Sequence, residues 1–176
     1  MGLTLLLGGA RSGKSALALR RARRTGRSLV FVATAAAGDP EMATRIERHR
    51  EERAGDSWTT IEAPLDLRGP LGEAPAGACV VVDCLSLWVA NLLQSGEGEE
   101  EIAAFALEAG RLASSRDAPT IAVSNEVGMG VVPAYELGRR YRDVLGRVNA
   151  LWAGLADEAA LVVAGRPLSL GGDDAG

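Results

Sequence analysis

The chain alternates short, unbroken apolar runs with longer stretches in which apolar residues recur every three or four positions. LTLLL (3–7), SLVFVA (28–33), ACVVVD (78–83), TIAVS (120–124) and AALVVA (159–164) have strand length and sit between polar or turn-forming flanks. Apolarity at nearly every position, rather than every second one, predicts strands covered on both faces, as in a parallel sheet. SWTTIE (57–62) alternates less clearly and is expected at a sheet edge. Helical spacing is clearest over 133–156, where Leu137, Tyr141, Val144, Leu145, Val148, Leu151, Trp152 and Leu155 recur behind Pro133. A second helix is expected over 99–115, carried by Ile102, Phe105, Ala109 and Leu112 after glutamates that suit a helix N-terminus. This strand–helix order predicts an α/β fold, a mostly parallel open sheet flanked by helices. The Pro- and Gly-rich stretch 63–77 and QSGEG (94–98) read as surface connections. One domain is expected over 1–168, followed by a disordered tail at 169–176.

Composition narrows the classes. A chain of 176 residues, 47% hydrophobic and 24% charged, suits a single globular domain. The net charge of -4 counts against a general nucleic-acid binder. Arginines cluster in 20–27, 45–53 and 139–147, but no aromatics interleave for base stacking, so solvated helix faces are the simpler reading. LTLLLGGA is too short to cross a bilayer and no basic stretch precedes it, so neither membrane nor targeting is expected. Cys79 and Cys84 with a single histidine cannot complete a Cys/His zinc site, and they are expected reduced in a cytoplasmic protein.

The first chemistry lies at 8–15, GGARSGKS. It fits G-x-x-x-x-G-K-[ST] over Gly8, Gly9, Ala10, Arg11, Ser12, Gly13, Lys14 and Ser15, after a strand-like run and before the helical KSALALRRARR. Glycines let several backbone N–H groups converge on one phosphate, and the helix N-terminus adds its positive end. Of 19 Lys and Arg residues, Lys14 is the only lysine. A slim ammonium reaches the β- and γ-phosphates inside a tight loop, where a broad planar guanidinium fits badly. Ser15 is expected to hold Mg²⁺, with Asp83 at the end of CVVVD near the same ion.

The single histidine, His49, lies in EMATRIERHREERAG (41–55), one turn from Arg45 and one from Arg53. A surface histidine on a charged helix is the plain reading. A nucleophile is the functional one, because nearby cations favour the neutral imidazole and stabilise charge on a phosphoryl group. SNEVGMGVVP (124–133) follows a strand, so it is expected at the sheet's carboxyl edge, where open α/β folds bind ligands. Asn125 and Glu126 there either contact substrate or hold the loop's own backbone.

Taken in order, GGARSGKS, VFVAT, EMATRIERHREER, WTTIEAPLDL, VVVDCLSLWVANLL and SNEVGMGVVPAYELGRRYRDVLGRVNALWAGLADEAALVV resemble the bifunctional adenosylcobinamide kinase / adenosylcobinamide-phosphate guanylyltransferase family of cobalamin biosynthesis, from about Leu3 to Val163. The resemblance implies a RecA-like P-loop fold and a homotrimer. It implies phosphorylation of the aminopropanol hydroxyl of adenosylcobinamide by a nucleoside triphosphate (ATP or GTP), with Mg²⁺. It further implies transfer of GMP from GTP, through a guanylylated histidine, to adenosylcobinamide phosphate. That histidine falls on His49. The implied GTP contacts fall on Gly8 to Ser15, on Ala33, Thr34 and Ala35, on Arg50, Glu51, Glu52 and Arg53, and on Glu62 and Asp83. Arg50 and Arg53 are expected to grip phosphates and Glu62 to meet guanine or ribose. Two other readings stay open on the residues alone: a P-loop kinase for another small hydroxyl substrate, and a nucleotide switch or assembly ATPase. The absence of an N-K-x-D pattern counts against the switch.

Overall fold

Seven strands form one sheet in the computed structural model, which describes residues 2–35 and 57–171. The expectations for His49 and for Arg50, Glu51, Glu52 and Arg53 lie outside the described residues, as does the end of the expected tail at 172–176. The elements run β1 (Leu3–Gly8), α1 (Lys14–Arg24), β2 (Leu29–Ala33), β3 (Trp58–Glu62), α2 (Arg68–Glu73), β4 (Cys79–Asp83), α3 (Leu85–Gln94), α4 (Glu99–Ser114), β5 (Thr120–Asn125), α5 (Glu136–Leu155), β6 (Glu158–Val163) and β7 (Arg166–Leu170).

The sheet order is β3-β2-β4-β5-β1-β6-β7. Every pairing is parallel except β6 with β7, an antiparallel hairpin. SWTTIE accordingly becomes β3 at the open edge, with its partly exposed pattern. The chain's first strand is central, flanked by β5 and β6.

Alternate residues of β1, β2, β4 and β5 feed two cores, which is why these strands are apolar at nearly every position. On one face, Leu6, Phe31, Val81, Ile121 and Val123 meet Leu17, Ala18, Leu19 and Ala22 of α1. On the other, Leu5, Val80, Val82 and Ala122 meet Trp88 of α3, Ile102 of α4, and Leu145 and Trp152 of α5. Burying each such large side chain contributes about 1.5–3 kcal/mol. Helix α1 carries Arg21, Arg23 and Arg24 in its last turn, where cations suit the helix dipole. Helix α4 opens with Glu99, Glu100 and Glu101, the matching arrangement at the other end.

Three regions differ from the sequence expectations. The connection 63–77 contains a short helix, α2, whose Leu71 is buried. Residues 85–94 form α3, which periodicity does not single out. Its run LSLWVANLL is apolar almost throughout because the helix lies beneath α5 and against β5, leaving no polar stripe to set a period. The expected tail begins too early. Ser169 and Leu170 belong to β7, pairing with Ala160 and Ala159, so the sheet extends past residue 168.

Candidate active site

The phosphate loop leaves β1 at Gly8 and re-enters regular structure at Lys14. Gly13 sits at φ 90°, a conformation glycine adopts without penalty, and turns the chain into α1. A Cβ on Gly8 would lie 2.6 Å from both Ser12 Oγ and the Val162 carbonyl, so no larger residue fits there. The loop is braced from two directions. Glu126 N–H donates to Gly8 O at 3.1 Å, and Gly165 N–H, in the turn between β6 and β7, donates to Ser12 O at 2.8 Å. Lys14 is buried, with 7% exposure, and its Nζ donates to Gly9 O at 3.0 Å across the loop. Among the described residues, Ser12 Oγ is buried without a hydrogen-bond partner. Ser15 follows in the first turn of α1, whose leading N–H groups have no intrahelical acceptors.

Asp83 ends β4 at intermediate exposure. Ala33 of β2 pairs with Asp83 on one side and with Glu62 of β3 on the other, so these three expected contacts form one row at the carboxyl ends of their strands. Paired residues of parallel strands point to the same face, here the face that α1 covers, since Ala33 packs with the α1 core. Glu62 is exposed at the edge end of that row.

Thr34 has a different environment. It is fully buried, its N–H donates to Asp83 O at 3.2 Å, and its hydroxyl donates to Cys84 O and accepts from Cys84 N–H, both at 2.8 Å. Asn91 of α3 donates through Nδ2 to Thr34 O at 2.8 Å and to Pro64 O at 3.0 Å. Cys84 Sγ lies 2.9 Å from Ser86 Oγ. Burial, and secondarily the charge of Asp83, pushes the Cys84 thiol up to about 11, so it stays protonated at neutral pH and is no nucleophile. Both cysteines are free and buried.

The loop after β5 carries the other expected motif. Glu126 Oε1 accepts from Gly128 N–H at 2.6 Å, so this carboxylate holds its own loop. Asn149 of α5 donates to Asn125 O at 3.0 Å and ties the strand end to the helix. Arg139 donates to Pro133 O at 3.0 Å and to Ala134 O at 2.7 Å, closing the turn into α5. Beyond these ties the loop is exposed and apolar, with Met129, Val131, Val132 and Tyr135 all facing solvent.

The structure thus brings the phosphate loop, Ala33, Glu62 and Asp83 to the carboxyl side of one sheet. Asn91, Cys84, Ser86 and Gly165 were missed by sequence reasoning. Asn91 had a usable signal, a lone amide inside the apolar run LWVANLL, since a buried polar group needs partners. Gly165 had none, because its bond to Ser12 spans nearly the whole chain.

A glycine-rich loop joining a central parallel strand to a helix, with a carboxylate on a nearby strand end, defines a P-loop nucleotide-binding protein of RecA-like fold. The RadB recombinase has this architecture, with a TM-score of 0.51 at 17% identity over 91% of this chain and 73% of that one. Residues 4–170 match the family described as cobinamide kinase / cobinamide phosphate guanyltransferase. The bifunctional adenosylcobalamin biosynthesis protein CobP of Pseudomonas aeruginosa is 46% identical over 175 residues, 96% of this chain and 97% of that protein. CobU of Escherichia coli is 35% identical, covering 93% and 96% respectively. CobU of Salmonella typhimurium is 36% identical with the same coverage. The chain belongs to this family of bifunctional enzymes, whose substrates are nucleotides and cobinamide compounds.

Proposed function

We propose that the two activities share the phosphate loop and differ in which phosphorus is attacked. In the kinase step, the aminopropanol hydroxyl of adenosylcobinamide attacks the γ-phosphorus of ATP or GTP. An O–P bond forms, the bond to the β-bridging oxygen breaks, and the nucleoside diphosphate leaves as the hydroxyl loses its proton. In the second step, His49 attacks the α-phosphorus of GTP, releasing pyrophosphate and leaving GMP on the imidazole. A phosphate oxygen of adenosylcobinamide phosphate then displaces the histidine, giving adenosylcobinamide-GDP and a free imidazole.

The observation that carries this reading is the loop itself. Lys14 is the chain's only lysine, buried and turned across the loop onto Gly9 O. From there it can turn from the Gly9 carbonyl to phosphate oxygens, beside the Ser12 hydroxyl, which has no hydrogen-bond partner among the described residues. Gly8 to Ser15 cradle the triphosphate, and Ala33 and Ala35 border it, while Thr34 between them is fully buried with its polar groups bonded inside the protein. Glu62 reads guanine or ribose, while Arg50 and Arg53 grip the phosphates beside His49, with Glu51 and Glu52 in the same GTP-contact segment. Ser15 and Asp83 fit Mg²⁺ bound together with nucleotide, since this ion needs few protein oxygens when phosphates and waters complete its shell. When bound, Mg²⁺ would neutralise charge on the β- and γ-oxygens.

The homotrimer is part of the same reading. It is supported by the apolar loop, where Val131 is 96% and Tyr135 83% exposed, and by an adjoining apolar groove of about 500 Å³ lined by Ala90, Leu93, Pro133, Leu137 and Tyr141. The proposed setting is the cytoplasm, where nucleoside triphosphates are held. Among the described residues no helix is long and apolar enough to cross a membrane.

The test is covalent labelling. Protein incubated with GTP labelled at the α-phosphate, then denatured, is expected to carry label that acid releases and base does not, and His49→Asn is expected to carry none. Label arriving only from the γ-phosphate, or none, would leave a kinase without nucleotidyl transfer.

A further inference from the structure

Thr34 falls among the expected nucleotide contacts, yet its polar groups are already engaged inside the protein. The N–H meets Asp83 O, the hydroxyl both donates to and accepts from the backbone of Cys84, and the carbonyl accepts from Asn91. Asn91 is equally committed. A side-chain amide has two N–H donors, and the two carbonyls within reach, Thr34 O at 2.8 Å and Pro64 O at 3.0 Å, take one each.

These bonds close a ring. The chain runs from Asp83 through Cys84 into α3, reaches Asn91 two turns later, crosses to Thr34, and returns from Thr34 to Cys84 and Asp83. Pro64, just beyond β3, is drawn in by the second donor. Three strand ends are therefore tied by two side chains. The peptide joining Asp83 to Cys84 is cis and lies within this ring.

We propose that Thr34 and Asn91 are positioning residues, which hold the Asp83 carboxylate and the segments after β2 and β3 in place for the nucleotide without touching it themselves. The proposal rests on the reading of Asp83 as the carboxylate on the Mg²⁺ side. Thr34 is fully buried, so neither its hydroxyl nor Asn91's bond to its carbonyl can be replaced by water without opening the site. Groups that orient a metal-side ligand commonly matter about 10–100-fold to metal affinity or activity.

The experiment separates positioning from contact and from mere folding. GTP affinity is measured by calorimetry in EDTA and again with Mg²⁺, alongside turnover and urea unfolding, for Thr34→Val, Thr34→Ser, Asn91→Ala and Asp83→Asn. Thr34→Val keeps the shape and removes the hydroxyl, whereas Thr34→Ser keeps the hydroxyl. Thr34→Val and Asn91→Ala are expected to bind GTP normally in EDTA but to lose about tenfold or more of the Mg²⁺-dependent gain in affinity and of turnover. Thr34→Ser is expected to restore both. Should Thr34→Val fail to fold, Asn91→Ala carries the same comparison. Equal losses with and without Mg²⁺ in a folded variant, or no loss at all, would overturn the positioning role. Asp83→Asn tells the two levels apart. If it loses the Mg²⁺ linkage while the other variants keep it, only the positioning proposal fails. If it keeps the linkage, the reading of Asp83 fails and takes the proposal with it.

Discussion

Two glycine-rich loops leave neighbouring strands at the same level of the sheet, where Gly8 pairs with Asn125, and they are built in opposite ways. The loop after β1 is gripped by backbone from both neighbouring strands' extensions, and its lysine is buried within it. The loop after β5 is anchored at its root and its end, by Glu126 and Arg139, and turns Met129, Val131 and Val132 outward between them. The difference follows what each must meet. A phosphate group always presents the same few oxygens, and donors fixed in advance stabilise it without reorganisation. Apolar side chains facing water are stable only because the folded core elsewhere supports them, and they gain from being covered.

The contrast can be broken from either side. The largest effect is expected at Lys14. Lys14→Arg keeps the charge but not the slim stem, and should lower kcat of both reactions by at least about 10²–10³-fold, read by product formation from labelled nucleotide. Near-normal turnover would show that the loop is not tight. Next comes Gly8→Ala, whose added methyl meets Ser12 Oγ and the Val162 carbonyl at 2.6 Å. Urea unfolding should show a loss of about 1–3 kcal/mol, together with weaker GTP binding. The smallest effect on the fold is expected at Val131→Ser in the outward loop. The unfolding free energy should stay within about 0.5 kcal/mol of the parent, while sedimentation shifts toward smaller species. An unchanged association state would remove this loop from the proposed subunit contact.

What could be read from the chain divides along the same line. The strands and the phosphate loop are local: LTLLL, CVVVD and GGARSGKS each hold their information in consecutive residues. Of the strand-end row, Asp83 was reachable because it ends the apolar run CVVVD, whereas Ala33 and Glu62 came only with the family resemblance. The tie through Thr34 and Asn91 was not, since its partners are 57 positions apart and only the sheet order brings them together. Helix α3 was hidden for a related reason, its burial on several sides having erased the period. β7 went unseen because RPLSL is exposed along its whole length and carries no apolar run, so only its pairing with β6 makes it a strand.

The central place of β1 bears on how the enzyme comes off the ribosome. Its neighbours on either side begin at Thr120 and Glu158, and the turn that clasps Ser12 comes later still, at Gly165. β1 is therefore made well before either of its partners and has no pairing strand until β5 has been synthesised. A polypeptide released before β5 is made holds the full G-x-x-x-x-G-K-S signature and yet lacks both neighbouring strands and the turn that brace the seat for GTP.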